Sequence, residues 1–266
     1  GDIIIFQNEN NREYLTCFWA CILIGAVVAP LGVLDDYGTR NINNEKLKNI
    51  CEMIPDYYIL ASDKVGKKLE NLIEKNRLIT YSEVSAFEDT GFDNYIWEED
   101  QTAMMLFTSG STGIPKGVCL SQKNVFARTI SEVQRYDMDE TLVDMNWMTL
   151  THAAGIIWSH IRDVYLNAFQ IQVMSEVVLN EPIKFLDIIN KYRVTTTWTP
   201  NFEFTLIRDQ YDESEQHMWD LSCIKHVFVG GEANVSKDLR GFIQIGMRYG
   251  MDEHVVVTLY LFIISR

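Results

Sequence analysis

Residues 108–117 read Thr-Ser-Gly-Ser-Thr-Gly-Ile-Pro-Lys-Gly, and nine of these ten are Gly, Ser, Thr, Pro or Lys. The run sits between two apolar stretches, 102–107 and 117–120. Glycines let backbone N–H groups approach an anion closely, hydroxyls add donors, and a single lysine adds a mobile positive charge. That is chemistry for a polyphosphate. The spacing is not that of a Walker A loop, because Lys116 follows Pro115, precedes Gly117 and has no Ser or Thr behind it. Nor is there a Gly-x-Gly-x-x-Gly dinucleotide fingerprint. A plain Ser/Gly hairpin is the simpler reading of such a run, and the Pro-Lys-Gly directly behind it favours the phosphate reading. Two further places hold suitable residues: His152, after Trp-Met-Thr-Leu-Thr, and Gly230-Gly231-Glu232-Ala233, after an apolar run.

The elements around these residues alternate in period. Strands are predicted at 3–6, 27–29, 57–61, 102–107, 117–120, 142–145, 170–174, 195–198 and 225–229, from short β-branched or apolar runs. Helices are predicted at 12–24, 43–53, 63–76, 122–136, 154–166, 182–192, 201–209 and 235–248, from apolar residues three and four apart. Pro182 suits the first turn of its helix. Repeated β-then-α order predicts an α/β fold of layered, mostly parallel sheets with flanking helices. Residues 88–101 are acidic and aromatic and read as a surface connection.

The chain has 266 residues and a net charge of −14, from 23 basic and 37 acidic side chains. An acidic surface gains little from a phosphate backbone, so no nucleic-acid partner is expected. Five cysteines with no Cys-x-x-Cys predict reduced thiols and a cytoplasmic setting. Residues 14–34 carry no charge, which meets the length test for a membrane span. Gly25, Pro30 and Gly32 interrupt them, so a buried helix followed by a buried strand is expected and no membrane partner. The apolar run 254–266 reaches the last residue with no cap or turn, which reads as part of something longer.

Thr108-Ser-Gly-Ser-Thr-Gly-x-Pro-Lys-Gly-Val118 resembles the signature of the AMP-forming acyl and aminoacyl adenylating enzymes. These include acyl-CoA synthetases, fatty acyl-AMP ligases and the adenylation domains of nonribosomal peptide synthetases. Gly25-Ala26 leading to Pro30, the His152 segment, and Gly230-Gly231-Glu232-Ala233 are similar to three other family segments. His160-Ile-Arg-Asp-Val-Tyr-Leu166 resembles loading ligase domains of polyketide and peptide synthetase assembly lines. The resemblance implies ATP-dependent conversion of a carboxylic acid to an acyl-adenylate, with Mg²⁺, and transfer to a thiol of a carrier protein or coenzyme A. It implies that Thr108, Ser109, Gly110, Ser111, Thr112 and Gly113 cradle the β- and γ-phosphates, that Gly117 is also a nucleotide-binding residue, and that Pro115 fixes the loop's exit. The resemblance further implies that Lys116 steadies the loop or the departing pyrophosphate, that His152 lines the acyl and α-phosphate region, and that Gly230, Gly231 and Glu232 lie against adenine. Trp198 and Asn201 would flank the pocket. An amino-acid-activating member would carry an Asp near 147–155 for the α-ammonium, and this sequence has no acid from there until Asp163. An acid without an α-amino group is therefore expected.

Tyr249-Gly-Met-Asp-Glu253 partly matches the family's Mg²⁺-binding Tyr-Gly-x-Thr-Glu but has Asp where Thr belongs, so it is predicted to be a turn before a strand. The family's ribose Asp and C-terminal Lys have no counterpart in these residues. Residues 1–266 therefore read as an incomplete N-terminal AMP-binding domain without the small C-terminal domain, inactive by itself. Two alternatives stay open: a non-catalytic remnant that binds nucleotide weakly, and an amino-acid-activating domain.

Overall fold

The computed structural model describes residues 1–34, 37, 42–88, 91, 93, 95–108 and 115–259. The chain divides into two compact units, Gly1–Arg128 and Thr129–Arg266.

The first unit contains β1 (Ile3–Gln7), α1 (Asn11–Leu23), β2 (Val27–Pro30), α2 (Ile42–Met53), β3 (Tyr57–Ala61), α3 (Asp63–Leu69), β4 (Leu78–Thr80), α4 (Tyr81–Ser85), β5 (Thr102–Thr108) and β6 (Lys116–Ser121). α5 (Gln122–Arg135) contains the point at which the units divide. The sheet order is β4-β3-β1-β2-β5-β6. β1 to β5 pair in parallel, while β6 runs antiparallel to β5 as an edge strand. Ile5, Ala29, Leu47, Ile50, Ile59, Val65 and Leu69 form the core.

The uncharged 14–34 stretch resolves as expected into helix, turn and strand. Asn10 caps α1 by accepting the Arg12 and Glu13 N–H groups at 3.0 and 3.2 Å. Among the described residues no helix is long and apolar enough to cross a membrane. α3 is shorter than the 63–76 helix predicted. Val65 and Leu69 reach the core, whereas Leu72 is 54% exposed, so a further turn would bury little. β4 and α4 were not predicted; they are only three and five residues long, and Thr80 and Glu83 build a capping box between them.

The second unit contains β7 (Val143–Asn146), α6 (Ala153–Gly155), a π-helical segment (Ile156–Ile161), α7 (Arg162–Leu166), β8 (Phe169–Gln172), α8 (Ser175–Asn180), α9 (Lys184–Tyr192), β9 (Thr196–Thr199), α10 (Asn201–Gln210), β10 (His226–Val229), α11 (Ser236–Met247) and β11 (Val256–Thr258). Its sheet is parallel throughout, in the order β11-β10-β9-β7-β8. Met145, Val178, Phe185, Leu186, Phe204, Ile207, Val227 and Phe242 centre the core.

The helix predicted over 154–166 is not uniform. Six residues widen into a π turn, a feature often found at functional sites. The surrounding strands explain it. β7 and β8 read Val-Asp-Met-Asn and Phe-Gln-Ile-Gln, an alternation that gives each a polar and an apolar face. Val143, Met145 and Ile171 pack in the core. Asp144, Asn146, Gln170 and Gln172 fall on the other face, where the 153–166 segment engages the first three. α8 was not predicted.

Candidate functional site

In the first unit, the phosphate-type loop joins β5 to β6. Thr108 and Lys116 are register partners at the mouth of this hairpin. Thr108 is half-buried, Pro115 buried, and Lys116 and Gly117 exposed. A Cβ on Gly117 would stand 3.1 Å from the Met105 Sδ. Ser109, Gly110, Ser111, Thr112 and Gly113 lie outside the described residues.

In the second unit, the other predicted residues gather by topology. The chain passes from β7 outward to β8, then returns to β9 on the opposite side of β7. This makes the β7/β9 boundary a switch point, and in open parallel sheets ligands bind outside the carboxyl ends of the strands at such points. The segment with His152 leaves the carboxyl end of β7. Pro200 and Asn201 follow β9, and Gly230-Gly231-Glu232 follow β10, the next strand.

His152 stands immediately before α6, and its Nδ1 accepts the Ala154 N–H at 3.1 Å. Burial holds the ring below the usual histidine pKa, so it is neutral at pH 7. With Nδ1 accepting, the proton sits on Nε2, which is left to donate. The segment is tightly folded: a Cβ on Gly155 would collide with the Thr149 carbonyl oxygen.

Gly230 is buried, and a Cβ there would lie 2.6 Å from the Leu259 carbonyl oxygen. Gly231 has φ +86°, a left-handed conformation that side chains resist. Glu232 Oε1 accepts the Phe202 N–H at 2.7 Å, so this carboxylate caps the first turn of α10. Asn201 joins the same two segments. Its Oδ1 accepts the Val235 N–H at 2.8 Å and its Nδ2 donates to Asp238 at 3.3 Å. Trp198 is a buried strand residue with its ring centroid 5.5 Å from that of Trp158, and its indole Nε1 has no hydrogen-bond partner among the described residues.

Sequence reasoning missed two features. Glu203, in the first turn of α10, is fully buried, neither carboxyl oxygen has a hydrogen-bond partner among the described residues, and burial pushes its pKa up to about 8. The other is a buried ion cluster. Arg162 lies 2.7 Å from Asp144, 2.8 Å from Asp163 and 3.4 Å from Glu132. Ser159 donates to Asp144. Burial works against the guanidinium charge, but Asp144, Asp163 and Glu132 outweigh it and hold Arg162 charged. Burial, and then Asp144, push the Asp163 carboxyl well above the usual range. The Asp-x-Asn and Gln-x-Gln alternation of β7 and β8 was the available signal.

Among the described residues no group of three or more His, Cys, Asp or Glu could hold a metal. As predicted, 249–255 form a turn into β11: Gly250 has φ +87°, and Glu253 is exposed. The described residues thus offer no fit for a resident Mg²⁺.

The chain resembles several known proteins along almost its whole length. It is 28% identical over 263 residues to the aspulvinone E synthetase melA of Aspergillus terreus, covering 97% of this chain and 28% of that protein. The chain therefore spans well under a third of that relative. Among solved structures, McyG A-PCP complexed with phenylalanyl-adenylate superposes with a TM-score of 0.93 at 31% identity, over 98% of this chain and 42% of that one. The adenylation domain of a keto acid-selecting NRPS module bound to keto acyl adenylate superposes at 0.91 with 28% identity, over 98% and 49%. The profile of the AMP-binding enzyme family matches residues 1–265, and the chain belongs to that family.

Proposed function

We propose that these residues form part of the N-terminal AMP-binding domain of an enzyme that activates a carboxylic acid with ATP, the small C-terminal domain lying outside residues 1–266. In the first step a carboxylate oxygen attacks the α-phosphorus, the bond to the β-phosphate bridge breaks, and acyl-adenylate and pyrophosphate form. In the second step a thiolate attacks the acyl carbon and AMP leaves. The acceptor is a carrier-protein phosphopantetheine or coenzyme A. Residues 1–266 alone are expected to give at most weak exchange.

The observation that carries this reading is the switch point of the second sheet. Family membership and the Thr108–Gly117 sequence support it. In this reading the Thr108–Gly113 loop and Lys116 hold the phosphates, and charge spread over their oxygens is stabilised by donors fixed in advance. His152 offers Nε2–H to an oxygen of the acyl or α-phosphate group. Gly230, Gly231 and Glu232 back the adenine, with Gly231 admitting close approach. No step is routed through Mg²⁺, which would arrive with the ATP phosphates.

We read the substrate as an acid without an α-ammonium, such as an α-keto acid. No Asp or Glu occurs between 147 and 162, and Asp163 is engaged by Arg162. The keto acid-selecting relative supports this reading. A second reading, an α-amino acid, is favoured by the phenylalanyl-adenylate relative. ATP–pyrophosphate exchange on the full-length protein decides between them, with pyruvate, 2-oxoisocaproate and phenylpyruvate set against alanine, leucine, phenylalanine and octanoate. Exchange with the keto acids alone is expected. Exchange with the amino acids alone would replace the first reading by the second, and no exchange with any acid would overturn both.

A further inference from the structure

We propose that His160, Gln170, Gln172 and Asn146 form a positioning relay that sets the 147–155 segment, and with it His152, for the acid substrate. This rests on the acid-activation reading above.

The relay lies on the polar face of β7 and β8. His160 Nδ1 lies 2.7 Å from Gln170 Oε1, and Gln172 Nε2 donates to the same oxygen at 2.9 Å. Asn146 Nδ2 donates to Gln172 Oε1 at 2.9 Å and to the Gly155 carbonyl at 3.3 Å. Asn146 Oδ1 accepts the Met148 N–H at 3.1 Å. An amide oxygen only accepts, so every donor in the chain is determined. Gln170 Oε1 requires the His160 proton on Nδ1, the tautomer opposite to that of His152. Burial keeps His160 neutral.

The geometry explains the π turn. Its widened backbone sends His160 to β8 while Ser159 and Arg162 reach Asp144 on β7. One end of the relay is thus tied, through its chain neighbours Ser159 and Arg162, to a buried ion cluster. The other end grips the backbone on both sides of His152, at Met148 and Gly155. A shift at either grip would move the Nε2–H of His152, and misplacement of about 1 Å can slow a reaction a hundredfold.

The test uses the full-length protein, phenylpyruvate as acid, and four variants. Gln172→Leu removes both relay bonds. Gln172→Glu keeps the acceptor for Asn146 but loses the donor to Gln170. His160→Phe removes the Nδ1 donor, and His160→Asn restores an N–H at that place. Gln172→Leu, Gln172→Glu and His160→Phe are each expected to raise KM for the acid about tenfold while KM for ATP stays within twofold. His160→Asn should recover most of the loss. Unchanged acid KM in Gln172→Leu, equal effects of Phe and Asn at His160, or a parallel rise in both KM values would overturn the proposal. Amide hydrogen exchange over 147–155 is read on the same proteins, and the three damaging variants should lose protection there. If the wild type exchanges pyrophosphate with no acid, the acid-activation reading fails. The relay is then judged by amide exchange alone, and unchanged protection in Gln172→Leu would sink it.

Discussion

The β5–β6 hairpin and the 144–172 region both carry candidate chemistry, and they are built in opposite ways. The hairpin presents an exposed Lys116 and Gly117 at the mouth of an edge-strand pair. Its proposed phosphate role rests on glycines and short hydroxyls that neighbour one another in sequence. The 144–172 region instead buries Arg162 among Asp144, Asp163 and Glu132, and links β7, β8 and the π turn through side chains far apart in sequence. An exposed side chain such as Lys116 can be altered with little effect on folding, whereas a desolvated network couples chemistry to stability.

The sharpest way to break this comparison is at the buried cluster. Arg162→Met leaves Asp144 and Glu132 without their counter-charge, and a loss of about 3–5 kcal/mol is expected, measured by urea unfolding. Stability within 1 kcal/mol of wild type would show that the carboxyls do not depend on Arg162. In the hairpin the reverse should hold. Lys116→Ala should lower acid-dependent ATP–pyrophosphate exchange of the full-length protein by about a hundredfold, near 3 kcal/mol of barrier, with an unchanged melting temperature. Near-normal exchange would remove Lys116 from the phosphate role.

Glu203 sharpens the comparison through pH. Its folded pKa is about 8 against an ordinary 4.5, so the folded state keeps a proton that the unfolded chain releases. Stability therefore declines as pH rises from 4.5 to 8 and levels off above that. Glu203→Met removes this slope, so its stability relative to wild type should be about 3–4 kcal/mol more favourable at pH 8 than at pH 5. Parallel pH–stability curves for the two proteins would refute the assignment. The smallest effect concerns Glu232. Its capping bond to Phe202 is partly solvated, so Glu232→Ala should lower stability by about 1 kcal/mol in thermal unfolding. A neutral substitution would mean that water replaces the cap.

Much of this molecule follows from local order in the sequence. A short apolar run located β3 over Tyr57–Ala61, and Gly25 and Pro30 correctly divided an uncharged run that matched a membrane span in length. The Thr108–Gly117 run and Gly230–Glu232 could be proposed from the sequence because their residues neighbour one another. Tertiary structure decided the rest. Sequence spacing did not place His152, Asn201 and Gly231 at the carboxyl ends of β7, β9 and β10, because strand order depends on crossover connections. Nor did it indicate that Asp144 and Asn146 would meet residues 159–162 and 172. The polar alternation in β7 and β8 could mark a solvent-facing edge or a buried network with equal ease. Only the packing of the 153–166 segment over that face, with its π turn, made it a network, because a buried polar face must find its partners within the fold.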